Sequence, residues 1–411
     1  MIKRTSVLIV AVCLVDGIGL GIAQPPGLDA MDEMSAAAYL AHITAGTEGP
    51  GGWHARELTE PFRGVTTNGE IVPGLYSVRS TGVSTEPVRV AADAFLAALD
   101  SEQRARTQFP VGDEEWRKWM NIHSYLRQGV GFGEFTDAQR DAALGLLKAS
   151  LSAKGLKLSQ DIMKLNTTLA ELNGDDFIQY GEDKYHITVM GTPSATEPWG
   201  WQIDGHHLVI NYFVLGDQVV MTPAFWGSEP VLATSGRHAG TWVLQEEQDM
   251  GLRMLIALDN AQRAQAVLNP VKDTDYDVAS FFRDNLVLDY AGVSVATFSE
   301  IQRMQLMELI GLFVGNLREG HAAVRMSEIA AHLDDTYFAW IGGDTDTTVY
   351  YYRIQSPVVL IEFDHQTPIG LRHFNEPGVP YRGHIHTTVR TPNGNDYGKD
   401  LLRQHYALHP H

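Results

Sequence analysis

The chain has 411 residues, 44% of them hydrophobic, with a formal net charge of -19. Its length allows a large core and two or three domains. Its acidity argues against nucleic acid or an anionic membrane as partner and fits a small neutral or cationic molecule, or a metal ion.

The N-terminus, MIKRTSVLIVAVCLVDGIGLGIAQ, has a basic start at Lys3 and Arg4, a short apolar run and the small-residue pattern Gly21-Ile22-Ala23. This predicts a signal peptide over residues 1–23 and an exported protein, periplasmic or extracellular. The run is too short to span a membrane, and no later run is longer. The one cysteine, Cys13, falls within that peptide, so the mature chain is expected to lack disulfides and thiolate chemistry. Residues 24–90 form a lead-in rich in Gly and Pro.

Six residues then recur four times: LDSEQR from Leu99, FTDAQR from Phe135, LDNAQR from Leu258 and FSEIQR from Phe298. Each begins a helix. Asp100, Thr136, Asp259 and Ser299 are N-caps, and Gln103, Gln139, Gln262 and Gln302 stand where a capping box places Glu or Gln. The copies form two pairs.

A longer echo follows. MGTPSATEPWGWQIDGHHLVINYFV from Met190 aligns without a gap with IGGDTDTTVYYYRIQSPVVLIEFDH from Ile341. Both read as an aromatic strand, a turn and an apolar strand, that is, a β-hairpin. Helices before strands, twice, predict an α+β fold: two helices-then-hairpin units related by internal duplication, residues 90–245 and 250–411, packed as one structure with a mainly antiparallel sheet.

The first hairpin carries His206 and His207 at its turn. They are candidate metal ligands, and at most one is expected to face a shared site. Trp199, Trp201 and Trp226 are candidates for substrate binding, with Tyr350 to Tyr352 extending such an aromatic groove, although paired-strand aromatics also pack against each other. Glu246, Glu247 and Asp249 favour the start of a helix.

Titratable groups crowd the C-terminal region. His384-Ile385-His386 has strand alternation, which presents two imidazoles on one face. Glu362 and Asp364 alternate likewise on the preceding strand. Paired, the two strands place two histidines and two carboxylates on one polar face, a set that suits Zn, Mn or Fe and disfavours copper. Beyond a turn, YGKDLLRQHY reads as a helix with Arg403 and His405. The metal-ligand candidates are therefore His206, His207, His384, His386 and His405. Glu362 and Asp364 are candidates for base or ligand, and Arg390 and Arg403 for stabilising negative charge.

The segments MGTPSATEPWGWQIDGHHL, TPAFWG, FAWIGG, YYYRI, VVLIEFDH and HIHTTVRTPNGNDYGKDLLRQHY together resemble a bacterial family known as domain-of-unknown-function family 3500. The resemblance runs from about residue 90 to the C-terminus. It implies an exported bacterial protein and brings no reaction with it. From the residues, the expected function is a metal-dependent enzyme, a hydrolase acting on a small neutral or cationic substrate at a His-rich site between the two units. A redox-active iron or copper protein using the same histidines, and a non-catalytic binding protein with an aromatic groove, are the alternatives.

Overall fold

The computed structural model describes residues 34–409. The expected signal peptide, with Cys13, and His411 lie outside the described residues.

The strands are β1 (Gln108–Phe109), β2 (Val130–Gly131), β3 (His186–Met190), β4 (Trp199–Gly205), β5 (Leu208–Leu215), β6 (Gln218–Val220), β7 (Ala224–Ser228), β8 (Val267–Asn269), β9 (Val293–Ser294), β10 (Tyr337–Gly342), β11 (Tyr350–Gln355), β12 (Leu360–His365) and β13 (Ile385–Arg390). They form one sheet in the order β1-β3-β4-β5-β7-β13-β12-β11-β10-β8, with β2 beside β3, β6 beside β5 and β9 beside β10. The α+β class holds, but the expected mainly antiparallel sheet is corrected to a mixed one. β1 runs parallel to β3 and β8 parallel to β10, with antiparallel pairs between. The reason is the connections. Long helical crossovers separate β1 from β3 and β8 from β10, and only such crossovers permit parallel neighbours.

The helices are α1 (Ala36–Glu48), α2 (Trp53–Glu57), α3 (Glu86–Ala98), α4 (Ser101–Thr107), α5 (Asp137–Ser150), α6 (Ala153–Leu172), α7 (Gln245–Ile256), α8 (Asn260–Ala266), α9 (Glu300–Val314), α10 (Glu319–Ala330) and α11 (Lys399–Leu408). All four expected capping boxes form, at Asp100, Thr136, Asp259 and Ser299. Their glutamines also meet in pairs. Gln139 Nε2 donates to Gln103 Oε1 at 2.7 Å, and Gln302 Nε2 to Gln262 Oε1 at 2.8 Å. The repeated hexapeptide thus ties helix starts together, α4 to α5 and α8 to α9.

Both hairpins form in one register. Asp204 opposes Val209 in the first, and Gln355 opposes Leu360 in the second. Strand alternation then sorts the sheet into two faces. Trp201, Ile203, Ile210, Trp226, Ile361, Phe363 and Ile385 share a core with Phe95 of α3, Leu147 of α5, Ile162 of α6, Leu255 of α7 and Ile310 of α9. The opposite face carries Asp204, Asn211, Glu362, Asp364, His386 and Arg390, all buried. Irregular chain around residues 113–127 and 272–284 covers it. These polar side chains give the covering segments the hydrogen bonds that regular structure would otherwise supply.

Candidate metal centre

The centre lies where β5, β7 and β13 are neighbours. His207 occupies the two-residue turn between β4 and β5, with φ 63°. That left-handed conformation is uncommon outside glycine, although His tolerates it better than most residues. The backbone holds it there: His207 N donates to Asn121 O at 3.0 Å, and Gly227 N donates to His207 O at 2.8 Å. His384 immediately precedes β13. His386, on β13, opposes Gly227 on one side and Asp364 on the other. Gly227 is the gap through which the rings approach. A Cβ there would lie 2.7 Å from Ile385 O and 3.2 Å from His386 Cδ2.

Three buried imidazoles converge. His207 Nε2 lies 3.1 Å from His384 Nε2, which lies 3.0 Å from His386 Nε2. The other ring nitrogens fix the tautomers. His384 Nδ1 is 2.7 Å from the carbonyl of Thr367, which can only accept, so that nitrogen carries the hydrogen. His386 Nδ1 is 3.3 Å from an Asp277 carboxyl oxygen and donates to it when that carboxyl, its pKa raised by burial to about 7, is ionised. Both Nε2 atoms therefore present lone pairs to each other. Such a contact is repulsive unless a cation lies within reach of both. On His207 and His386 a proton fits poorly, because burial, and then the neighbouring imidazoles, holds their pKa well below the ordinary histidine value. A tetrahedral ion with bonds of ~2.0–2.1 Å to nitrogen sets its ligands roughly 3.3 Å apart, close to the spacing here. Ring nitrogens tied to a carbonyl and a carboxylate are also what metal-binding histidines use. The three residues fit a metal ion.

The adjacent pair divides. His207 joins the cluster. His206 does not: its ring stacks on His207 at 3.9 Å, and its Nδ1 is 2.8 Å from Asn166 Oδ1 of α6. It belongs to a second group, with the His123 ring 5.3 Å and the Tyr180 ring 5.7 Å away.

Glu362 and Asp364 share the face of His386, as the alternation predicts, but they are not among the converging ligands. Glu362 accepts from Tyr351 Oη at 2.6 Å and Ala279 N at 2.8 Å. Asp364 pairs with Lys272 Nζ at 2.8 Å, both side chains fully buried, and accepts from Tyr276 N at 2.7 Å. Arg390 donates to Ala279 O and Ser280 O at 2.6 and 2.7 Å and pairs with Asp284 and Asp396, each at 3.0 Å. In the structure the contacts of these three side chains are with the covering chain. Glu362, Asp364 and Arg390 clasp the 272–284 segment, which carries Asp277 to His386. Burial raises the pKa of both carboxyls, with Lys272 opposing it at Asp364.

Other candidates stand apart. Arg403 is exposed on α11 and pairs with Asp400. His405 faces Glu197 at 3.4 Å, outside the cluster. Trp199 and Trp201 are buried in the core, Trp201 stacked on Tyr212. Tyr350 and Tyr352 are buried too, donating to α7 carbonyls of Gln248 and Glu247. Trp226 is buried but lines a cavity on the other face. Asp277, Thr367 and Gly227 were not candidates in the sequence. The alternating acids of KDTDYD are the one available sign of Asp277.

Fold and site define an α+β protein whose mixed sheet carries a buried three-histidine cluster with the geometry of a metal site. The chain belongs to the family described as "Protein of unknown function (DUF3500)", whose model matches residues 81–399. All three histidines lie within the match, and residues 34–80 precede it. Comparisons with curated proteins and with solved structures give no match.

Proposed function

We propose that this chain is an exported metal-dependent enzyme, a hydrolase, with a divalent ion held by His207, His384 and His386. The observation that carries the proposal is the pair of Nε2 lone pairs on His384 and His386, 3.0 Å apart while both Nδ1 atoms are tied to acceptors. Three imidazoles leave one position for water, the ligand count of catalytic zinc sites. A divalent ion there supplies a water acidified to near neutrality and a Lewis acid for the substrate. Thr367 O and Asp277 hold the ring tautomers, and the 272–284 clasp holds Asp277. Glu229, 3.9 Å from His384 Nδ1, and Asp277, 3.3 Å from His386 Nδ1, favour a small neutral or cationic substrate.

The ligand set also supports a second reading. Copper was disfavoured by carboxylates, and none is among the converging ligands. An all-imidazole set suits copper and iron as well as zinc, so a redox protein is the competing proposal, separable by colour and redox cycling of the loaded protein.

Two proposals concern the whole chain. The N-terminal segment supports export. Internal duplication is supported by matched hairpin registers, by paired capping boxes in each half, and by a cluster that takes His207 from residues 90–245 and His384 and His386 from residues 250–411.

Metal analysis of the purified, unchelated chain tests the reading. One ion per chain is expected, and none in a His384→Ala/His386→Ala variant. Equal content in the two proteins sinks the assignment.

A further inference from the structure

Trp226 and Gly227 are neighbours on β7 and face opposite sides of the sheet. Gly227 borders the histidine cluster. Trp226 lines a cavity of about 180 Å³ on the helix side, bordered by α9, α10 and the 75–81 lead-in. Its volume resembles the ~150 Å³ of apolar cavities that hold a benzene ring.

Two observations describe what fits there. The walls include Met221, Phe313, Leu317 and Val389, which suit an apolar body. The charged lining is Arg79, Arg325 and Glu328. Glu328 lies between the two guanidiniums, 3.1 Å from Arg79 and 3.2 Å from Arg325. One carboxylate against two guanidiniums leaves this end positive, in a chain of net charge -19.

We propose that this cavity is a second binding site, taking a small apolar carboxylate. Its body lies against the apolar walls, and its charge faces Arg79 and Arg325. The site is independent of the metal, because it occupies the opposite face of the sheet.

Calorimetric titration of the full chain with benzoate and hexanoate, beside benzyl alcohol and hexanol, tests this. Saturable binding of at least one carboxylate is expected, about tenfold or more tighter than its alcohol. Arg325→Gln is expected to erase that preference and Arg325→Lys to restore it. His384→Ala/His386→Ala is expected to bind as the unaltered chain does. Absence of binding by both carboxylates, or equal affinity for acid and alcohol, overturns the proposal. So does carboxylate binding that survives Arg325→Gln and is lost in the double histidine variant, which places the carboxylate at the metal centre.

Discussion

His207 Nε2 lies 3.1 Å from His384 Nε2, although 177 residues separate them in the chain. His206, bonded covalently to His207, points instead to Asn166. His207→Ala is therefore expected to weaken metal binding by more than the ~10–100-fold typical of losing a supporting residue. His206→Asn is expected to leave it within about threefold. Competition with a chromophoric chelator measures both. Equal losses would contradict the division of the pair.

Gly227 lets the rings approach. A methyl group at this position would meet Ile385 O at 2.7 Å, so Gly227→Ala must push β7 from β13 or turn His386 aside. Overpacking of this kind costs about 1–3 kcal/mol. Metal affinity is expected to fall at least about tenfold, as when an orienting group is lost. Unfolding in urea and chelator competition read the two effects separately. Unchanged affinity would show that the rings do not depend on the gap.

Lys272 and Asp364 form a fully buried ion pair at one end of the clasp. Lys272→Met leaves the carboxylate unpaired and is expected to destabilise the fold by about 3–5 kcal/mol. Lys272→Met/Asp364→Leu is expected to recover much of that loss, since removing both charges of a buried pair is often close to neutral. Proteolysis within 272–284 is expected to follow the same order. A double variant no more stable than the single one would show that the backbone bonds of Asp364, not its charge pairing, hold the segment.

His365 sets a pH dependence away from the cluster. Its Nδ1 accepts from Tyr350 N at 3.0 Å, so its Nε2–H donates to Gln248 Oε1 at 2.9 Å. Burial, and then Arg382 and Lys272, holds its pKa well below the ordinary value. Below about pH 6.5 the unfolded chain therefore binds a proton here that the folded chain refuses, and stability falls as pH falls. Above that pH the contribution is complete. The stability difference between the unaltered chain and His365→Gln is expected to shrink below pH 6.5 by up to about 1.4 kcal/mol per unit. Urea unfolding between pH 7.5 and pH 5 checks it, and a constant difference would contradict it.

Local patterns were legible in the sequence because their physics is local. A cap and a glutamine three residues later decide where a helix begins, and all four hexapeptides do so. Alternation decides which residues share a face, so Asp364 and His386 stand opposite each other as the pattern requires. The roles of those residues were not legible. Glu362, Asp364 and Arg390 have the chemistry of a catalytic set. Only the path of residues 272–284 over the sheet turns them into clasps. The same path brings in Asp277, whose local sequence says nothing of His386. Nor does periodicity tell His206 from His207, because a turn residue with φ 63° no longer obeys strand alternation. Sequence alone determined the helix starts, the hairpins, the polar face and the histidines worth watching. Tertiary structure alone decided which three meet, since that depends on strand neighbours brought together by long connections and on one missing side chain at Gly227.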